Sequence, residues 1–473
     1  DQLVFGGDAQ PYRYIFARVT EDQRYLVIRA AQRTSGEATF IMDLQDPTGV
    51  ILTLDDDMDT EETVIWSQEN RLLVETNYQA PNKRIVEVSI TDLDRAQWKD
   101  LIPETENVLN AGTAGGYLFA SYLVDAKTEV KQYTTGGELV RTVELPAIGT
   151  ARGFSEDAEA SKLYYTFTSF TYPSSIYAYD IASGQSSLFA QPTIDFNPGD
   201  YVTKQVFYTS KDGTKVPMFI VHKKGLELNG RNPTYLYAYG GFNVSLRPSF
   251  NTGRVLWLEN NGIYAQPNLR GGGEYGEKWH LAGTKMQKQN VFDDFIAAGE
   301  YLITNQYTSS DYLAIAGGSN GGLLIGATMT QRPDLAKVAF PAVGVMDMLR
   351  YHKFTAGAGW ASDYGTSEDS KEMFEYLLGY SPVHNLKPGT AYPATMVTTA
   401  DHDDRVVPAH SFKFAAALQE AQAGEHVTLI RIETDAGHGA GTPTSKRIDQ
   451  LTDAYSFAWY NMGVIPPVAR QEL

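Results

Sequence analysis

At 473 residues and 52.3 kDa the chain is too long for one ordinary domain, and 42% hydrophobic with 20% charged residues excludes a mainly disordered polymer. A net charge of −18 and a sequence pI near 4.9 argue against binding a nucleic-acid backbone, and no run of 18 or more apolar residues offers a membrane span. Zero cysteines remove disulfides, thiolate metal sites and a cysteine nucleophile together, and suit the cytoplasm and the periplasm equally. No signal-peptide pattern opens the chain, and its start at Asp1 rather than Met fits the removal of an upstream piece. The acidity is uneven: residues 1–200 carry a net −16 and residues 201–473 only −2, which places a domain boundary near residue 200.

The first part repeats. Strand-like runs open at Arg24, Arg71, Gly116 and Lys162, spaced 47, 45 and 46 residues apart. A second strand follows each, at 39–44, 84–89, 130–134 and 176–181, and a third at 50–54, 99–102, 139–143 and 187–190. Turns rich in Gly, Asn, Asp and Pro separate them. A period near 46 with several short strands per unit predicts β-propeller blades, four of them in residues 1–197. The acidic cluster Asp55, Asp56, Asp57, Asp59, Glu61 and Glu62 lacks the spacing of a calcium loop and reads as a solvated loop between blades.

From 198 to 473 the pattern changes to strands alternating with helices. Runs at 201–209 and 215–222 read as a hairpin. Strands are predicted at 234–239, 262–266, 312–316, 337–343, 394–399 and 427–432, with helices at 290–304, 320–331, 408–422 and 444–461. This order predicts a mostly parallel sheet with helices on both faces, whose chemistry gathers in loops at the C-terminal strand ends.

Gly317-Gly-Ser-Asn-Gly321 lies between such a strand and helix and fits G-x-S-x-G, the nucleophile elbow. Small neighbours let Ser319 occupy a strained turn, with its hydroxyl clear of the sheet and the next N–H facing a developing oxyanion. A serine needs a base, itself oriented by a carboxylate. Of the later histidines, His438 alone sits in a glycine-flanked loop between the last strand and the last helix. Asp401-His-Asp-Asp-Arg405 follows an earlier strand and supplies the acid, though spacing alone does not choose among its aspartates.

These strings, with Tyr239-Gly-Gly-Phe-Asn243, Asn268-Leu-Arg-Gly-Gly-Gly-Glu-Tyr-Gly276, Asp401-His-Asp-Asp-Arg-Val-Val-Pro408 and Ala436-Gly-His-Gly-Ala-Gly441, resemble the prolyl oligopeptidase family of serine peptidases. The resemblance implies an α/β-hydrolase domain preceded by part of a β-propeller, and cleavage of short peptides on the carboxyl side of proline through an acyl-enzyme, with no metal or organic cofactor. It implies Ser319 as nucleophile, His438 as general base and acid, Asp403 as orienting acid, and Tyr239 with the N–H of Asn320 as oxyanion donors. Trp360 resembles the indole on which the substrate proline stacks. Phe242, Val345, Tyr364 and Val406 resemble the rest of that pocket, and Arg405 the guanidinium that holds a substrate carbonyl. The Tyr239–Pro248 stretch holds no acid, which disfavours basic substrates. Family members are longer, with an opening segment packed on the hydrolase domain and seven blades, so this chain resembles the C-terminal two-thirds. A second chain carrying the missing segment and blades is the expected partner if the chain is not itself a fragment. The alternatives are a related oligopeptidase of basic-residue, dipeptidyl or acylaminoacyl specificity, and a catalytically silent binding module.

Overall fold

The computed structural model describes residues 3–7, 13–31 and 36–467, so the extreme ends of both expected domains fall outside the described residues. Two compact units emerge: Asp1–Ser169 with Pro173–Thr193, and Phe170–Tyr172 with Ile194–Leu473.

Among the described residues, the first unit holds four antiparallel sheets of four strands, each sheet in chain order. They comprise Tyr14–Val19 to Ile51–Asp55, Glu62–Gln68 to Lys99–Ile102, Val108–Ala114 to Leu139–Thr142, and Thr150–Arg152 to Ser186–Ala190. Each repeat therefore has four strands, not the expected three; the extra strand comes first in every sheet. Local chemistry hides three of these strands. Glu62–Gln68 contains a register shift between Val64 and Trp66 that breaks its alternation, Asn110 and Gly112 interrupt Val108–Ala114, and Thr150–Arg152 is only three residues long.

Neighbouring sheets bury apolar faces against each other, as propeller blades do. Tyr25 and Ile41 of the first sheet pack with Val64, Val74 and Val86 of the second, and Leu73 and Ile85 pack with Leu109 and Leu118 of the third. The acidic cluster is not simply a solvated loop. Asp55 and Glu62 are buried, and the Arg95 guanidinium meets them at 2.6 and 3.2 Å. Burial and the neighbouring Asp55 push the Glu62 carboxyl up to about 8.

The second unit is built on eight strands: β1 Tyr201–Thr209, β2 Lys215–Lys223, β3 Thr234–Tyr237, β4 Ile263–Pro267, β5 Leu313–Gly318, β6 Val338–Ala342, β7 Ala394–Ala400 and β8 Thr428–Glu433. Their order in the sheet is β1-β2-β4-β3-β5-β6-β7-β8. The β1–β2 and β2–β4 pairs are antiparallel and the remainder parallel, which is the α/β-hydrolase sheet. The principal helices are α1 Thr252–Glu259, α2 Gln289–Thr304, α3 Asn320–Gln331, α4 Lys371–Tyr380, α5 Ala409–Ala421 and α6 Thr444–Met462.

Period-two alternation divides the core. On β5, Leu313 and Ile315 join Phe292 and Phe295 of α2, Leu323 of α3 and Phe414 of α5. Ala314 and Ala316 instead meet Trp257 of α1 and Tyr455 and Phe457 of α6. Both faces are thereby covered, and only the loops at the strand ends are open to carry chemistry. Among the described residues no helix is long and apolar enough to cross a membrane.

Candidate active site

At the C-terminal end of β5 the chain turns sharply into α3. Ser319 sits at φ 59° and ψ −118°, a backbone state that costs a side-chain-bearing residue about 1–3 kcal/mol. It is held there from both sides. The Ser319 N–H donates to the Ala342 carbonyl at 2.9 Å, while the N–H groups of Gly322 and Leu323 donate to the Ser319 carbonyl at 2.9 and 3.1 Å. A Cβ on Gly317 would lie 2.4 Å from the Gly321 carbonyl oxygen, so the turn closes only around glycine. The N–H of Asn320, in the first turn of α3, has no acceptor within its own helix.

The loops after β7 and β8 open at the same end of the sheet, because both strands run parallel to β5. Asp403 is buried, and its Oδ1 accepts the N–H groups of Arg405 at 3.1 Å and Val406 at 2.9 Å. Its Oδ2 accepts from His438 Nδ1 at 2.6 Å. A carboxylate acceptor holds the ring proton on Nδ1, which leaves Nε2 of the neutral imidazole as a proton acceptor. Asp401 does a different job: it bonds His402 Nδ1 at 2.7 Å and accepts the Asp435 N–H at 3.0 Å, pinning one loop to the other. Asp404 is exposed.

Tyr239 follows β3, which runs parallel to β5, and its half-buried phenol lies near the Ser319 side chain. Burial first, and then Asp363, push that phenol above its ordinary range against the opposing pull of Arg405, so it remains a proton donor at neutral pH. Trp360 is half-buried, with one face parallel to Tyr351 at 6.1 Å and 9°. Phe242 meets Tyr364 edge-on at 5.3 Å. Val345, Tyr364 and Val406 are buried in the core cluster against which both rings pack, and Arg405 is exposed.

Four residues that sequence reasoning passed over belong to this neighbourhood. Tyr351 backs Trp360. Asp363 with His280 holds the Phe242 loop, and Lys288 holds Asn320 at the start of α3. Only Asp363 carried a sequence signal, through its place in the Trp360–Tyr364 string. A separate cavity of about 390 Å³ lies toward α6, lined by Ala316, Phe340, Glu433, His438 and Leu451; Trp360, Phe242 and Tyr364 do not line it.

An eight-stranded α/β-hydrolase sheet with a serine on its elbow, in one chain with β-propeller blades, defines a propeller-bearing class of hydrolase fold. Residues 248–464 match the model of the "Prolyl oligopeptidase family" and residues 1–192 that of the "Prolyl oligopeptidase, N-terminal beta-propeller domain", and the chain belongs to the prolyl oligopeptidase family. A prolyl endopeptidase of Elizabethkingia meningoseptica is 57% identical over 464 residues, covering 98% of this chain and 66% of the relative. A solved prolyl endopeptidase, studied for the role of inter-domain dynamics in catalysis and specificity, shares 42% identity with a TM-score of 0.88, over 98% of this chain and 68% of that one. Prolyl oligopeptidase B from Galerina marginata, solved bound to a 25mer macrocyclization substrate, shares 32% identity with a TM-score of 0.89, over 98% and 66%. The chain thus spans about two thirds of the length of these relatives.

Proposed function

We propose that the chain is a serine endopeptidase that hydrolyses short peptides on the carboxyl side of proline. The observation that carries this reading is the 2.6 Å bond between His438 and Asp403, made on loops at the same end of the sheet as the strained Ser319 turn. Relatives named prolyl endopeptidase, 57% and 56% identical, support it.

In this mechanism His438 Nε2 takes the Ser319 hydroxyl proton as Oγ bonds to the substrate carbonyl carbon. The carbonyl π pair moves to oxygen, where the Tyr239 hydroxyl and the Asn320 N–H receive it; one such donor contributes about 3–4 kcal/mol. Collapse breaks the C–N bond, and the imidazolium returns its proton to the departing amine. Water then repeats the sequence on the acyl-enzyme. Asp403 keeps the imidazole in the required tautomer and stabilises its charged form.

Proline specificity rests on Trp360, whose one face lies on Tyr351 while the residue stays partly exposed. A proline ring is apolar and lacks an N–H, so an indole with Phe242 beside it suits the ring better than any charged partner. Arg405 holds a substrate carbonyl.

Digestion of a peptide mixture read by mass spectrometry tests the assignment. New C-termini ending in proline are expected. Cuts after arginine or alanine would replace the specificity and keep the peptidase. No cuts, together with no labelling by a fluorophosphonate, would leave a binding module.

A further inference from the structure

Lys288 is 1% exposed, yet it immediately precedes α2, where a cation opposes the helix dipole. Its ammonium carries no hydrogen bond to a carboxylate. It donates instead to the Gly240 carbonyl at 2.9 Å and to Asn320 Oδ1 at 3.0 Å, and lies 5.3 Å from the centroid of the Tyr364 ring. Burial pushes the ammonium down to about 8, so the group is still mainly charged at neutral pH. A buried cation at a helix start, offset by the field of Asp363 but not by a direct ion pair, is costly to the fold.

What Lys288 holds gives its position a purpose. Gly240 directly follows Tyr239, and Asn320 directly follows Ser319. The Asn320 side chain bridges the start of α3 and the loop after β3: Nδ2 donates to the Tyr239 carbonyl at 2.6 Å, and Oδ1 accepts both Lys288 and the Tyr364 hydroxyl, the latter at 2.9 Å. The contact is close enough that a Cβ on Gly241 would fall 2.6 Å from Asn320 Nδ2. One ammonium therefore ties the backbone that follows Tyr239 to the side chain of Asn320, the residues that carry the two donors.

We infer that Lys288 is a positioning residue of the oxyanion site, fixing the spacing of its two donors and adding a fixed positive charge behind them. This rests on the proposed role of Ser319. The inference separates Lys288 from a merely structural group, because donor spacing matters where negative charge develops and little where neutral substrate binds.

The test compares the wild-type chain, Ser319→Ala, Lys288→Met and Lys288→Gln on a blocked Gly-Pro chromogenic substrate and on a blocked peptidyl prolinal. The aldehyde adds reversibly to a serine hydroxyl: the Oγ–C bond forms as the hydroxyl proton passes to His438 Nε2, the carbonyl π bond breaks, and its electron pair goes to the new oxygen, which occupies the oxyanion site. Lys288→Met is expected to lower kcat about 10- to 100-fold with KM within about threefold of wild type. The prolinal inhibition constant should rise by the same factor as kcat falls. Lys288→Gln, which keeps a donor but loses the charge, should fall between. If the methionine variant fails to fold, as judged by its circular dichroism and melting, the glutamine variant carries the test. Unchanged kcat, or a loss expressed equally in KM, would overturn the role of Lys288 while wild-type turnover absent from Ser319→Ala keeps the peptidase reading. No turnover by wild type would overturn both.

Discussion

Asp363 divides its two oxygens between His280 and the backbone of Phe242. Oδ1 meets His280 Nε2 at 2.6 Å, and Oδ2 accepts the Phe242 N–H at 3.0 Å. Phe242 and Asn243 both sit at positive φ, 55° and 57°, where a ring-bearing residue is strained. The carboxylate holds that strain in place and so aims the Phe242 ring at Tyr364. Asp363→Ala is expected to weaken kcat/KM for proline peptides about tenfold, chiefly through KM, because the pocket loosens before the reacting groups do. Steady-state kinetics check this, and an unchanged KM would contradict it.

The proposed stacking surface for proline is Trp360, half-buried and parallel to Tyr351. Trp360→Ala should lower kcat/KM for a proline substrate about 10- to 100-fold, from lost apolar burial and ring stacking, while the smaller rate on an alanine analogue changes much less. Equal losses on both substrates would remove Trp360 from the specificity pocket.

Glu274 links pH to stability. It is fully buried; Oε1 accepts from the Leu246 N–H at 2.8 Å and Asn268 Nδ2 at 3.0 Å, and burial pushes its carboxyl from the ordinary 4.5 up to about 7. The folded chain then holds the proton more tightly than the unfolded chain. The stabilisation is complete below pH 4.5 and is lost as pH rises through 7, on the order of 3 kcal/mol. His410 acts in the opposite sense. Its Nδ1 accepts the Asp347 N–H at 3.1 Å, and burial pushes it down to about 4, so acidification below 6.5 costs stability. Glu274→Gln isolates the first effect, since His410 is common to both proteins. Urea unfolding of wild type and variant should diverge between pH 4.5 and 7, with wild type losing stability relative to the variant as pH rises; parallel curves would contradict a buried acid.

Arg270 anchors the glycine-rich loop to α2. Its guanidinium reaches Asp294 Oδ1 at 2.6 Å, and its own N–H donates to Asp294 Oδ2 at 3.1 Å. Asp294 is wholly buried, so Asp294→Ala leaves a buried cation half-compensated by Asp212 and should destabilise the second unit by about 3 kcal/mol. Denaturant midpoints measure this, and a change below about 1 kcal/mol would contradict it.

Where a single stretch of chain determines its own structure, the sequence was readable. The apolar run of β5, the glycines of the elbow and Arg332-Pro333 bound the strand and helix on either side of Ser319, and the structure places α3 at Asn320–Gln331. The repeat near 46 residues was visible because its central strands alternate cleanly. The first strands of the second, third and fourth sheets were not, since a bulge at Val64–Trp66, Gly112 and the brevity of Thr150–Arg152 remove the alternation. Helix α1 was missed as a two-turn element that buries Trp257 only through its neighbours. The site shows the same division. Choosing among Asp401, Asp403 and Asp404 depends on the loop's direction, set by the N–H groups of Arg405 and Val406 closing on Asp403. Lys288 sits beside Lys285 in a polar stretch that reads as solvated charge, and only tertiary packing buries it.

Turnover of a blocked Gly-Pro chromogenic substrate by the wild-type chain and by Ser319→Ala tests the proposed chemistry most directly. Release of chromophore by wild type, and none above background by Ser319→Ala, is the expected result. Equal release by both would contradict Ser319 as the nucleophile, whatever the fold.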